Sequence, residues 1–423
     1  MKNNNLSLFN SLREEYPIFT YHSFNFQIEK NHDITFGFDF QIGGKFRFTP
    51  QMRLSSGNYF MGNIDPNLLK GLFFHIGMIE LISYWKCTCS PIIHIKKYNL
   101  DKEQVDFWLK LYHKGLGEFF HQNGISTQGQ SVITFLFDDN SENICRFEYP
   151  EISTSSRTIV PIGGGKDSVV TLEKLRTERE IVPFIINPRE ATLDCAKIAG
   201  FSKKNEIVML HREIDPLLLK LNQEGFLNGH TPFSAMLAFH SLLAAYVTDT
   251  REIALSNESS ANEPTIPGTD INHQYTKSEE FEIDFQKYVH DNMNDFAHYY
   301  SYLRPYNELQ IGEMFAQYPA YFPAFRSCNV GSKENAWCCN CPKCLFTSII
   351  LAPFIEEKKW ISIFGEDLLN KPSLLPYFQE LTGVADNKPF ECVGTIEEVN
   401  RAIDLVKDKY KDKYLIKKHI HEK

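Results

Sequence analysis

Residues 163 to 168 read Gly-Gly-Gly-Lys-Asp-Ser. They follow the short, β-rich apolar run 158–162 and precede Val169, Val170, Leu172 and Leu175, which recur along one face of a helix. Three glycines at a strand-to-helix junction let the main chain turn sharply and come close to a ligand. Its N–H groups and the positive end of the helix can then hold phosphate oxygens. The competing reading is a plain tight turn, because a glycine triplet alone has little specificity. A Walker loop is excluded, since the four-residue gap and terminal Gly-Lys-Ser/Thr are missing, and a dinucleotide fingerprint is excluded by the misplaced third glycine.

A second group of residues has metal-binding chemistry. Five of the ten cysteines fall between 328 and 344: Cys328, Cys338, Cys339, Cys341 and Cys344. Cys338, Cys341 and Cys344 stand at three-residue steps, and Cys328 can supply the fourth thiolate of a tetrahedral, structural Zn²⁺ site. Such clustering favours metal over disulfides in a chain without a secretory signal, with reduced or redox-active thiols as the alternative. Cys87, Cys89, Cys145, Cys195 and Cys392 lack a partner motif and read as small buried apolar side chains.

The glycine motif resembles the PP-loop, Ser-Gly-Gly-x-Asp-Ser, of ATP pyrophosphatases, which cleave ATP between its α and β phosphates. Gly164, Gly165, Asp167 and Ser168 match, and Gly163 stands where that superfamily usually has Ser. The cysteine spacing resembles the structural zinc site of the queuosine-precursor synthases. Cys339 occupies the position where they commonly have Gly, and it competes with Cys338 as the ligand.

Three further polar segments are informative: Asn228-Gly229-His230-Thr231-Pro232-Phe233-Ser234, Ser256-Asn257-Glu258-Ser259-Ser260-Ala261, and Asn272-His273-Gln274-Tyr275-Thr276-Lys277-Ser278 with Phe281-Glu282. Together with Gly115-Leu116-Gly117-Glu118-Phe119-Phe120, Leu303-Arg304-Pro305 and the cysteine run from Trp337, they are similar to the ATP-dependent bacterial epimerases of UDP-N-acetylmuramoyl-L-alanyl-L-glutamate. The resemblance spans roughly residues 65 to 350. It implies inversion of the terminal L-glutamate while ATP becomes AMP and pyrophosphate, with Mg²⁺ as cofactor. Adenylating the carboxylate removes its charge, so a general base can take the otherwise very weakly acidic α-proton.

On that resemblance Gly163, Gly164, Gly165 and Ser168 face the phosphates, Lys166 adds a cation, and Asp167 orients the loop or its Mg²⁺. His230 and Glu258 are the candidate bases, against ordinary capping roles. Asn257, Glu258, Lys277 and Arg304 are candidates for the substrate, with surface ion pairing as the alternative for Lys277 and Arg304. A queuosine-type or tRNA-thiolating enzyme would share the loop and the cysteines. A nucleotide sensor would need only the glycines.

The elements that must position these residues change rhythm along the chain. Residues 24 to 48 alternate apolar and polar, with turn residues at Asn31-His32-Asp33 and Gly43-Gly44, and predict an antiparallel meander. Helices are expected over 67–84 and 105–120. From 157 the order strand 157–162, helix 167–178, strand 181–187, helix 190–199, strand 206–211 is that of a parallel α/β sheet, followed by an apolar helix 234–247 and a strand 252–255. The expected fold is α/β: an N-terminal α+β domain with the meander (1–150), a parallel-sheet PP-loop domain of the adenine-nucleotide α-hydrolase type with the cysteines (151–355), and a helical C-terminal segment (356–423).

The 423 residues are 43% hydrophobic and 23% charged, as in ordinary globular proteins. A net charge of −9 disfavours a nucleic-acid surface, and the basic tail 407–423 reads as a solvated helix end. No run of eighteen apolar residues and no signal-like N-terminus occur, so a cytoplasmic protein acting on a small molecule is expected, with no membrane partner.

Overall fold

Alternation of Phe and polar residues becomes a meander because each inward ring finds another across the ladder. The computed structural model describes residues 4–62, 64–127, 132–143 and 156–422. After helix α1 (Leu6–Glu15) come strands β1 (Ile18–Ile28), β2 (Ile34–Ile42), β3 (Phe46–Phe48) and β4 (Gln51–Ser55). β1 and β2 are antiparallel, with Phe24 opposite Phe38 and Phe26 opposite Phe36. Phe36, Phe38 and Phe40 are fully buried. Helix α2 (Pro66–Trp85) covers them; Asp65 caps it, accepting from Asn67 N at 2.8 Å, and Pro66 suits its first turn. α2 is long and apolar enough to cross a membrane, but 89% of its apolar window is buried inside the protein, as befits a core helix. Strands β5 (Ile92–Ile95) and β6 (Tyr98–Asn99), helices α3 (Lys102–Gly115) and α4 (Gly117–Gln122), and strands β7 (Thr134–Phe137) and β8 (Glu142–Asn143) follow. The single helix expected over 105–120 is thus two, broken at Leu116 between two glycines.

The α/β alternation then runs β9 (Arg157–Pro161), α5 (Lys166–Leu175), β10 (Glu180–Ile186), α6 (Glu190–Ile198), β11 (Val208–Arg212), α7 (Pro216–Gln223), α8 (Phe233–Thr248), β12 (Glu252–Leu255), α9 (Glu279–Met293) and β13 (His298–Ser301). Helices α10 (Glu308–Ala316), α11 (Pro342–Leu351), α12 (Glu357–Phe364), α13 (Leu375–Thr382), α14 (Ile396–Val406) and α15 (Tyr414–Glu422) complete the chain. The tail is not merely a solvated end: Leu415 and Ile416 of α15 are fully buried.

The chain builds two compact units from interleaved segments. The first holds Met1–Ile159, Asn205–Ile253 and Glu280–Tyr299; the second holds Val160–Lys204, Ala254–Glu279 and Tyr300–Lys423. In the first, strands run β11-β4-β2-β1-β5-β7, with β3 on β2. β4 is antiparallel to both neighbours, and β1, β5 and β7 are parallel. The other run is β13-β12-β9-β10, in which β12 pairs parallel with β9. The fold is mixed α/β, with parallel and antiparallel pairing. The second unit takes up the carboxyl ends of β9, β12 and β13, where ligands sit in open parallel sheets.

Candidate active site

The loop after β9 is fixed by close main-chain approach. Gly164 has φ +80°, and a Cβ there would meet the Ala191 carbonyl carbon and Thr192 nitrogen of α6 at 3.2 Å. Its carbonyl accepts from Arg326 N at 2.7 Å. A Cβ on Gly165 would lie 2.9 Å from Ser327 Oγ, whereas one on Gly163 would meet nothing within 4 Å. Glycine is therefore demanded at 164, favoured at 165, where the Ser327 hydroxyl would have to turn away, and optional at 163, where the resemblance expects Ser. α5 starts after Gly165 with no side-chain cap on its first turn, and Ser168 Oγ turns back to Gly165 O at 2.9 Å. The result is a glycine turn leading into an uncapped helix N-terminus, which suits an anion.

Charge is concentrated beside this loop. The Lys166 ammonium is buried between the carboxylates of Asp167 and Glu308, the first residue of α10. Burial works against the charge on Lys166, but the two carboxylates outweigh it and hold its pKa above the ordinary lysine value. Burial also opposes ionisation of Asp167, and Lys166, Lys343 and Lys277 overcome it, so this carboxyl stays below its usual range. Glu308 differs: burial, with Asp167 and Glu258 adding to it, pushes its carboxyl up to about 8 against the pull of Lys166 and Lys343.

Two more loops close around these groups. After β12, Asn257 and Glu258 are buried; Asn257 Nδ2 donates to Ser301 Oγ at 3.0 Å and Ser260 Oγ to Glu258 Oε1 at 3.3 Å. Arg304 donates to the carbonyl oxygens of Glu258 (2.8 Å) and Lys277 (2.7 Å), so its guanidinium ties two loops together. The carboxylates of Glu258 and Asp167 act in turn on the Lys277 ammonium. The second unit thus brings together the glycine loop, Asp167, Asn257, Glu258, Lys277 and Arg304. His230 belongs to the first unit, where its Nδ1 lies 3.1 Å from Glu118 Oε2. There Lys86 donates to the Gly229 and His230 carbonyls and the Thr231 hydroxyl, and burial lowers it to about 8.

The four cysteines form one cluster. Sulfur separations are 3.9 Å for Cys328–Cys341, 3.7 Å for Cys338–Cys344 and 3.5 Å for Cys341–Cys344, and all four sulfurs lie within 4.8 Å of one another. A tetrahedron with metal–sulfur bonds of about 2.3 Å has edges near 3.8 Å, so the set has the right size for Zn²⁺. Main-chain N–H groups of Gly331, Asn340 and Cys344 point at three of the sulfurs, as thiolate ligands need. Cys339 lies outside the cluster, its sulfur directed to the carbonyls of Trp337 and Phe364, and its φ of +53° explains why glycine suits this position. Cys338 therefore fits as ligand and Cys339 does not.

Sequence reasoning did not single out Glu308, Lys343, His273 or Cys392 for the site. Cys87, Cys89 and Cys195 are buried as expected and Cys145 lies outside the described residues. For Cys392 the expectation fails, since the residue is only half-buried and its sulfur lies 3.8 Å from His273 Nε2. His273 and Lys343 lie inside the polar segment 272–278 and the cysteine run, but nothing local marks their part in the site, and Glu308 and Cys392 stand in no motif at all, because the four come from segments far apart in the chain.

Two family models match the chain: the MurL N-terminal domain over residues 10–302 and the MurL C-terminal domain over 324–423. Among similar proteins, one from Xanthomonas oryzae pv. oryzae is 33% identical over 86% of this chain and 80% of its own length. One from Salinispora tropica is 32% identical over 78% and 71%, and one from Micromonospora sp. 34% identical over 78% and 74%. Each is named a UDP-N-acetyl-alpha-D-muramoyl-L-alanyl-L-glutamate epimerase. No solved structure matches.

Proposed function

The chain belongs to the MurL family of epimerases, isomerase-class enzymes, and from that premise we propose that it inverts the terminal L-glutamate of UDP-N-acetyl-α-D-muramoyl-L-alanyl-L-glutamate to D-glutamate. The product is a peptidoglycan precursor, and ATP is cleaved to AMP and pyrophosphate as the α-carboxylate is adenylated. The observation that carries the epimerase reading is the match to relatives of that name over 71–80% of their length. The ATP step is supported by the loop at 163–168, with its obligatory Gly164 and uncapped helix start. A nucleotide-linked substrate and ATP suit a cytoplasmic reaction.

In this reading the main-chain N–H groups of the loop and of α5 receive the phosphates, and Mg²⁺, held beside Asp167, would offset their charge. Lys277 and Lys343 supply further positive charge for anionic substrate groups. Arg304 fixes the carbonyls of Glu258 and Lys277 and so sets the loop geometry around the reacting carbon. Zn²⁺ in the four-cysteine cluster would hold the segment 328–344, with no open position for catalysis.

The test is turnover of the muramoyl-dipeptide nucleotide with ATP and Mg²⁺ in deuterated water, followed by chiral analysis of the released glutamate. D-Glutamate carrying deuterium at the α-carbon, with AMP formed in step, is the expected result. Inversion without ATP would overturn the adenylation step, and AMP formation without inversion would overturn the epimerase reading.

A further inference from the structure

Cys392 is held from two sides. Its carbonyl accepts from Lys343 Nζ of α11, and the next carbonyl, of Val393, accepts from Gln274 Nε2 at 3.1 Å. Its sulfur faces His273 Nε2 at 3.8 Å, on the segment that also carries Lys277. Lys277 acts on Cys392, Glu258 and Asp167 alike, which puts the thiol in the same polar group as the glycine loop. The Oε1 atom of buried Gln274 has no protein partner, so an unmet acceptor lies beside Cys392.

A cysteine that merely fills space gains nothing from three basic groups. Burial pushes the Cys392 thiol up, but Lys277 first, then His273 and Lys343, bring it down to about 6. The acidic group beside it is Glu391, which would repel a thiolate, and its own carboxyl is raised first by burial and also by Cys392. At neutral pH the sulfur is therefore anionic and, by its contact with His273, fixed in direction on a residue that is only half-buried, as a base acting on a carbon acid requires.

We propose that Cys392, positioned by His273 and Lys277, is the base that removes the α-proton of the terminal glutamyl residue; this rests on the epimerase reading above. The Cα–H bond breaks, its proton passing to the Cys392 sulfur and its electron pair to the activated carbonyl as an enolate. The enolate takes a proton from water on its opposite face, and the Cys392 thiol returns its proton to water.

Cys392→Ser and Cys392→Ala in the full chain test this with the muramoyl-dipeptide nucleotide, ATP and Mg²⁺. Both should lose deuterium incorporation at the α-carbon by about 10²-fold or more, while substrate-dependent ATP–pyrophosphate exchange stays within about threefold of wild type. In the wild type, alkylation of Cys392 by iodoacetamide, read by peptide mass, should reach half its limiting rate near pH 6. His273→Gln should move that midpoint upward, a change that a space-filling role would not produce. Unchanged deuterium incorporation in both variants overturns the proposal. So does joint loss of exchange and inversion with a lowered melting temperature, or an alkylation midpoint at the ordinary thiol value. If the wild type shows no ATP–pyrophosphate exchange, the adenylation reading fails instead, and the alkylation profile still judges Cys392.

Discussion

Each unit buries charge, and the two do so differently. In the first, Arg212 of β11 meets Glu80 of α2 through two parallel contacts, Nε to Oε2 and Nη2 to Oε1, each 2.8 Å, and adds Ser83 Oγ at 3.1 Å. One positive and one negative group answer each other completely, deep in an aromatic core. In the second, Lys166, Lys277 and Lys343 are spread among Asp167, Glu258 and Glu308, with Cys392 and His273 alongside, and protonation is displaced in several directions. The first arrangement holds a helix to a strand. The second is a field of unequal charges that suits an incoming phosphate or carboxylate.

The sharpest way to break this contrast is Arg212→Met. It leaves the Glu80 carboxylate buried without its partner and should lower stability by about 3–5 kcal/mol, measured by denaturant unfolding. Adding Glu80→Leu should restore most of the loss. A single variant as stable as wild type would remove the pair from the list of things that hold the first unit together.

A smaller effect is expected from Glu308→Gln and appears only as a dependence on pH. The ordinary value for this carboxyl is 4.5 and its folded value is about 8. Below pH 4.5 both states keep the proton. Between 4.5 and 8 the unfolded chain releases it and the folded protein does not, so wild-type stability falls as pH rises and levels off above 8. The gap between wild type and Glu308→Gln should change by about 2 kcal/mol over that window, less than the full shift because relaxation and water penetration soften the penalty for charging a buried carboxyl. Parallel stability curves at pH 4.5, 6 and 8 would refute the assignment.

The smallest effect is expected at Cys339. Cys339→Gly should change stability by less than about 1 kcal/mol, because relief of the left-handed backbone offsets the lost side chain. It should also leave bound zinc unchanged by metal analysis, whereas Cys338→Ser should release it. Zinc loss from the Cys339 variant alone would reverse the ligand choice.

What the sequence revealed follows the same division. The meander, α2, and the alternation from β9 to β12 were legible because each has a period of its own. The loop at 163–168 and the four cysteines were legible because their chemistry is local. Glu308 was not, since a lone acidic residue at a helix start reads as a cap. Cys392 was not, because its meaning depends on His273 and Lys277, more than a hundred residues away in sequence. His230 drew attention as a histidine at the start of a predicted helix, but its pairing with Glu118 was not legible, because sequence proximity to Pro232 and α8 carries no information about a partner more than a hundred residues earlier.

The interleaving of segments also bears on synthesis. A nascent chain cannot complete the first unit until residues 280–299 have left the ribosome, nor the second until the final helices have emerged. Both must wait with apolar strands already made, so contacts of long sequence separation govern their formation, and a slow, chaperone-dependent maturation is the expected cost of this threading. No single cut in the gene can release either unit whole.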